Sequence, residues 1–203
     1  MESFKELSLK TWKDYEKIMG PKGGCGGCWC MSWRLPRAGG AWDKSKGEPN
    51  RRAMKKLVAT GRAHGVLAYE GGEPVGWCSF GPKDEYPRLV RAKSYATGET
   101  LGVWSAPCFL VRKDKRGKGF SVRMLKKAME FAKKRGAKVM EGYPATKTKA
   151  GDKLPAAFVW TGPEAVFKRC RFKEVQRLSW SRPVYRKSLR PRSTFRALEA
   201  SII

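Results

Sequence analysis

The stretch 103-VWSAPCFLVRKDKRGKGFSVRMLKKAMEFAKKRGAKVMEGY-143 decides how this chain is read. Residues 100–111 form its longest apolar strand candidate. Pro107 inside that run lacks a ladder N–H, which places it at a bulge, an edge or a strand that splays from its neighbour. A basic glycine loop follows. The next segment, about 118–135, sets Phe120, Met124, Leu125, Ala128, Phe131 and Ala132 on one helical face with lysines opposite. Gly136 closes this helix, and 137–141 reads as a second strand ended by Tyr143-Pro144. Phosphate-binding loops are built in this order: a strand delivers the chain, glycines admit the ligand to the backbone, and a helix N-terminus offers free N–H donors.

Working outward, residues 4–9 suggest a first strand, and Thr11 caps a short helix stopped at Gly20-Pro21. Residues 20–50 read as an irregular loop rich in Gly, Trp and Cys. Asn50 is placed to cap a helix ending at Gly61. A hairpin follows, with strands at 65–69 and 74–80 around Gly71-Gly72. One helical turn is expected at 85–90, a surface loop at 145–156, a short helix at 163–170 and a strand at 172–180. Helix-linked strands favour parallel pairing and the hairpin antiparallel pairing, so the sheet should be mixed. The expected organisation is one domain over 1–180 and a basic tail over 181–203.

Composition adds one anomaly. The chain has 203 residues, enough for a substantial core, yet 44 Lys and Arg against 18 acids give a formal charge of +26. Residues 112–153 hold net +11 and residues 181–203 net +5, which favours polyanionic partners: nucleic acid, an anionic surface or a polyphosphate cosubstrate. The first residues lack the apolar core of a signal peptide, and no run approaches ~18 apolar residues. Six cysteines do not make a disulfide framework in a chain this rich in core residues. The expected location is the cytoplasm, with reduced thiols.

The loop Arg112 to Ser121 lacks the final Gly-Lys-Ser/Thr of a P-loop, and Val122 stands where a dinucleotide loop needs its third glycine. Arg116-Gly117-Lys118-Gly119-Phe120-Ser121 resembles the acyl-CoA-binding motif Q/R-x-x-G-x-G/A of the GNAT superfamily of N-acetyltransferases. The run Phe167 to Val175 is similar to that family's Y-x-x-x-G-F-x-E-V ending. The resemblance spans most of residues 4–180. It implies an α/β (α+β) fold whose mixed, mainly antiparallel central sheet has a splayed parallel strand pair and flanking helices. It also implies an acetyl-CoA-dependent N-acetyltransferase acting on a primary amine by direct transfer in a ternary complex. Backbone N–H groups of Gly117, Lys118, Gly119, Phe120 and Ser121 would cradle the CoA pyrophosphate, with charge from Arg112, Lys113, Arg116 and Lys118. Phe109, Leu110 and Val111 would pair with the pantetheine arm. Two departures stand out: Phe167 where many members place an acidic tyrosine, and Arg171 where a glycine precedes Phe172.

With that tyrosine missing, Glu141 is the first candidate for the base and Tyr143 for the replacement acid. Cys108 as an acyl carrier, His64 as a base, and Trp104 and Ser105 on the acceptor side are lesser candidates. Cys25, Cys28 and Cys30 have the spacing of a metal or redox site, but no second pair completes a four-ligand zinc set, and no metal is expected. Two other readings stay open: a nucleic-acid-binding module on this scaffold, and a zinc or redox protein using the three cysteines. The implied partners are acetyl-CoA, an amine acceptor the sequence does not name, and a nucleic acid or other polyanion. A homodimer is left open.

Overall fold

The computed structural model describes residues 1–35, 40–148, 150–152, 154–155, 158–178 and 180–190. In chain order the elements are β1 (Glu2–Glu6), α1 (Trp12–Met19), α2 (Ala41–Ser45), α3 (Glu48–Ala59), β2 (His64–Glu70), β3 (Glu73–Pro82), α4 (Pro87–Arg91), β4 (Val103–Val111), α5 (Phe120–Lys134), β5 (Val139–Gly142), α6 (Glu164–Arg169), β6 (Lys173–Gln176) and β7 (Val184–Ser188). The strands make one sheet in the order β1-β2-β3-β4-β5-β7-β6. Among the described strands β4 and β5 alone run parallel, joined through α5; every other pair of these strands is antiparallel. This is the mixed sheet the sequence implied.

The stripe on α5 explains its place. Phe120, Met124, Leu125, Ala128 and Ala132 are buried against Val66, Ala68, Val75, Cys78 and Phe80 of the hairpin. Full burial of each large apolar side chain stabilises by roughly 1.5–3 kcal/mol, so this face alone fixes the helix on the sheet. On the opposite face α1 and α3 bury Trp12, Tyr15, Ile18, Met54 and Val58 over Leu67, Tyr69 and Trp77. The turn between β2 and β3 places Gly71 and Gly72 at φ 59° and 85°, the left-handed pair that a tight hairpin needs.

Two expectations are corrected. The helix expected to start at Asn50 begins at Glu48 behind Gly47. Asn50 is buried, and its side-chain amide donates to the Gly27 carbonyl at 3.0 Å, a partner too distant in sequence to foresee. The basic tail expected from 181 contains β7, which lies between β5 and β6. The boundary at 180 therefore falls inside the sheet, because Val184 and Tyr185 bury in it. Residues 191–203 of that tail lie outside the described residues. Among the described residues no helix is long and apolar enough to cross a membrane.

Candidate active site

Pro107 creates the geometry. Ser79 pairs with Cys108 but Gly81 pairs with Ser105, so Ala106 and Pro107 together oppose Phe80. One extra residue on β4 makes a bulge that resets which side chains face which core. Before it Trp104 and Ala106 face α5; after it Phe109 and Val111 do, while Cys108 and Leu110 turn to the opposite core. Pairing between β4 and β5 stops at Ala106 and Gly142. Beyond that point β4 runs on to Val111, paired with β3 but, among the described residues, with no strand on its β5 side. The Phe109 N–H in this gap donates to the Trp160 carbonyl at 2.7 Å. By strand alternation the Phe109 carbonyl and the Val111 N–H open onto the same gap, whereas Leu110 turns its backbone toward β3.

The glycine loop lies where β4 ends. Gly117 and Gly119 hold φ of 79° and 78°, left-handed values that cost an L-residue about 1–2 kcal/mol. The first helical bonds of α5 run from Val122 and Arg123 to the Gly119 carbonyl. Among the described residues, the N–H groups of Gly117, Lys118, Gly119, Phe120 and Ser121 have no acceptor in the fold. Five consecutive unpaired donors at a helix N-terminus make a candidate anion site. Gly117 and Lys118 are exposed, Gly119 and Ser121 half-buried, and the Phe120 ring is buried beneath the loop. Around the loop, Arg112 pairs with Asp114 at 3.0 Å, Lys115 with Glu70, and Arg116 Nε donates to the Val111 carbonyl at 3.2 Å.

At the fork of the splayed strands sits a buried polar network. Glu141 is 0 % exposed and Lys83 1 %, with Nζ to Oε2 at 2.7 Å. Tyr143 donates to the same oxygen at 2.9 Å. The other oxygen accepts from Thr97 Oγ1 and from Arg186 Nε, each at 2.8 Å. All four lone-pair sites of the carboxylate are thus engaged. The Tyr143 hydroxyl also meets Ser105 Oγ at 2.8 Å. Burial, and next the Glu141 charge, push the Tyr143 phenol well above its usual range. Burial pulls the Lys83 ammonium below its usual range despite its carboxylate partner.

An aromatic wall adjoins the network. Trp33 contacts Tyr95, Tyr143 and Trp160, with ring centroids 5.3–6.1 Å apart, and its indole N–H donates to the Pro107 carbonyl at 3.1 Å. The structure therefore brings Glu141, Tyr143 and Ser105 together at the fork. It leaves Trp104 on the other face, stacked on Phe80. His64 also stacks on Phe80, and burial lowers its pKa to about 4; the Glu6 carboxylate, 3.9 Å away, is itself paired with Arg135 at 2.7 Å. Sequence reasoning missed Lys83, Thr97 and Arg186, whose link to Glu141 appears only in three dimensions. A surface cavity of about 610 Å³, lined in part by Glu16, Trp29, Glu48 and Arg51, shares no residue with the glycine loop or the fork. Among the described residues no three His, Cys, Asp or Glu side chains are grouped to hold a metal ion.

The model of the acetyltransferase (GNAT) family matches residues 30–147, more than half of the chain. The chain belongs to the GNAT acetyltransferase family. Its fold is shared by an N-acetyltransferase of Staphylococcus aureus Mu50, with TM-score 0.56 at 12% identity over 94% of this chain and 99% of that one. The PaiA N-acetyltransferase of Thermoplasma acidophilum, in complex with coenzyme A, gives 0.55 at 9% identity over 93% and 99%. The Salmonella typhimurium protein yncA, with its cofactor acetyl-CoA, gives 0.56 at 12% identity over 97% and 99%. At these identities the likeness is one of fold. Comparison with curated protein sequences gives no match.

Two departures of this GNAT chain now have physical settings. Phe167 is fully buried and packs edge-on against Phe109 and Phe172. A Cβ on Gly142 would come within 1.9 Å of its ring, so the aromatic ring fills the space that a glycine leaves at the end of β5. Arg171 stands just beyond α6 at φ 60°. The Phe172 N–H returns to the Phe167 carbonyl at 3.0 Å and the Arg171 N–H to the Lys168 carbonyl at 2.9 Å, the helix ending that favours glycine at this position.

Proposed function

We propose that this acetyltransferase takes its acetyl group from acetyl-CoA and passes it directly to a primary amine. The observation that carries the reading is the unpaired N–H run from Gly117 to Ser121 at the mouth of the gap between β4 and β5. A pyrophosphate at this run meets five donors and the positive end of α5, with Arg116 and Lys118 close by. The pantetheine arm then lies along β4, using the Phe109 N–H and carbonyl and the Val111 N–H as a neighbouring strand would. Leu110 holds the strand in place through its packing on the opposite core. Because the Trp160 carbonyl already accepts from Phe109, the arm must take over that bond, and the segment at 158–162 must yield.

Bound in this way, acetyl-CoA supplies an activated thioester carbonyl at the fork. Tyr143 follows Gly142, the last β5 residue paired with β4. Its phenol keeps its proton far above neutral pH; that proton is given to Glu141 in the resting fold, so the O–H must turn from the carboxylate to meet the charge that develops on carbonyl or sulfur. Glu141 does not serve as the base in this scheme. With both oxygens engaged it is a positioning residue that holds Tyr143, while Ser105 fixes the phenol from the other side. Trp33, Tyr95 and Trp160 wall the side from which the amine arrives.

Thiol release from acetyl-CoA against a panel of small amines, peptide N-termini and lysine peptides tests this proposal. Amine-dependent release is expected, and Tyr143→Phe should lower kcat by about 10²-fold with little change in KM for acetyl-CoA. Tight acetyl-CoA binding without release to any amine would overturn transfer to an amine.

A further inference from the structure

The loop before α2 carries Cys25, Cys28 and Cys30, whose spacing points to each other as partners. The fold sorts them differently. Cys25 is exposed, Cys28 half-buried, and Cys30 buried against the sheet. The Cys30 sulfur lies 3.5 Å from that of Cys108, the first β4 residue beyond the bulge. Both thiols are free, and 78 residues of chain separate them. The Trp77 indole N–H points at the Cys30 sulfur from 3.0 Å. The buried Tyr15 hydroxyl stands near the same sulfur without hydrogen-bond geometry, and it has no other partner among the described residues. Trp29 and Cys30 both hold left-handed backbone, at φ 44° and 58°. Non-glycine residues persist there only when their surroundings over-determine them, and the effect here is to turn Cys30 inward.

This arrangement gives the sulfurs unequal chemistry. The contact with Cys108 first, then the Trp77 N–H and the Arg34 charge, favour the thiolate of Cys30 against its burial, and the Cys30 pKa is lowered. The Cys108 thiol is raised, first by its bond to Cys30 and then by burial. Burial pushes Cys28 up to about 11. The thiolate is the attacking form, so Cys30 is the more nucleophilic sulfur of the two. Cys108 is only partly buried.

We propose that Cys30 and Cys108 form an oxidisable thiol pair that reacts with hydroperoxides and closes to a disulfide. The Cys30 thiolate attacks one peroxide oxygen, the O–O bond breaks, and the departing hydroxide or alkoxide takes a proton, leaving a sulfenic acid on Cys30. The Cys108 sulfur then attacks Cys30, the S–S bond forms, and water leaves with the Cys108 proton. Two thiols are oxidised by two electrons in all, and one hydroperoxide is reduced. The bond staples the cysteine loop to β4 beside the Trp33–Pro107 contact. The inference stands whether or not acetyl-CoA binds as proposed.

The test uses the full reduced chain, treated with one equivalent of hydrogen peroxide, blocked with N-ethylmaleimide and mapped as tryptic peptides without reduction. The expected product links peptide 23–34 to peptide 94–112, with Cys25 and Cys28 recovered as maleimide adducts, and dithiothreitol reverses it. In Cys108→Ser the link is absent and dimedone labels Cys30. Trp77→Phe, which removes one donor to the thiolate, should slow Cys30 oxidation about tenfold. A predominant Cys25–Cys28 or Cys28–Cys30 disulfide overturns the proposal. So does the survival of all six thiols in tenfold excess peroxide.

Discussion

Replacing Glu141 with glutamine probes the fork most sharply. The substitution keeps shape and removes one charge from a site where Lys83 is 1 % exposed and Arg186 23 %. Two cations then face each other across a neutral amide, and the glutamine NH₂ must point at a donor, since Lys83, Thr97, Tyr143 and Arg186 all donate to the carboxylate. Breaking a buried pair by deleting one partner costs about 3–5 kcal/mol, against a total stability of about 5–15 kcal/mol for a typical domain. The pH dependence has a definite sign. Lys83 already has a native pKa below its usual value because of burial, and Glu141 is what raises it. Without Glu141 the native pKa falls further, while the unfolded lysine stays near ~10.4. Between those two values the unfolded state binds more protons, so the variant gains stability as pH rises. Urea unfolding of wild type and E141Q from pH 6 to 9.5 should show a deficit that is largest at pH 6 and shrinks toward pH 9.5. Lys83→Met in the E141Q background should recover part of it, a coupling that the double-mutant cycle measures. A deficit under about 1 kcal/mol, or one independent of pH, would refute the buried ion pair as the organiser of this site.

Two further outcomes follow from geometry. Arg171→Gly relieves a left-handed arginine at φ 60°. The relief of about 1–2 kcal/mol is offset by about 0.4–1 kcal/mol of added unfolded-state freedom, so urea unfolding should report a gain near 0.5–1 kcal/mol; a loss would contradict the strain. Because the Phe109 N–H is held by the Trp160 carbonyl, stopped-flow association of acetyl-CoA should show rates that saturate with concentration. Rates that rise linearly throughout would mean that the slot is already open.

The core of this fold was legible because its signals are local. Gly117, Gly119 and Gly136 punctuate a stripe of apolar residues at helical spacing, and Pro107 announces the bulge that opens the sheet. The strand at 184–188 was not legible, and its composition shows why. Arg186 and Lys187 read as part of a basic tail, but Arg186 is the register partner of Glu141 and neutralises it there. The same holds for Lys83 and Thr97, each more than forty residues from the carboxylate they bind. Tyr143 and Glu141 were recognisable as chemical groups, but the roles proposed for them were not, since these depend on which lone pairs of the carboxylate are occupied. The cysteine spacing favoured local partners, whereas left-handed backbone at Trp29 and Cys30 turns Cys30 toward Cys108.

The central claim is that the Gly117–Ser121 cradle binds acetyl-CoA, and calorimetric titration of wild type and Gly119→Glu measures it directly. Gly119 has φ of 78°, and a Cβ there would meet the Arg123 guanidinium at 2.9 Å. Glutamate adds backbone strain and a negative charge inside an anion site. Wild type should bind one equivalent, and the variant, with an unchanged circular dichroism spectrum, should bind at least about a hundredfold more weakly, or roughly 2.7 kcal/mol. Equal affinity in the two proteins, or no binding by wild type at low salt, would contradict it.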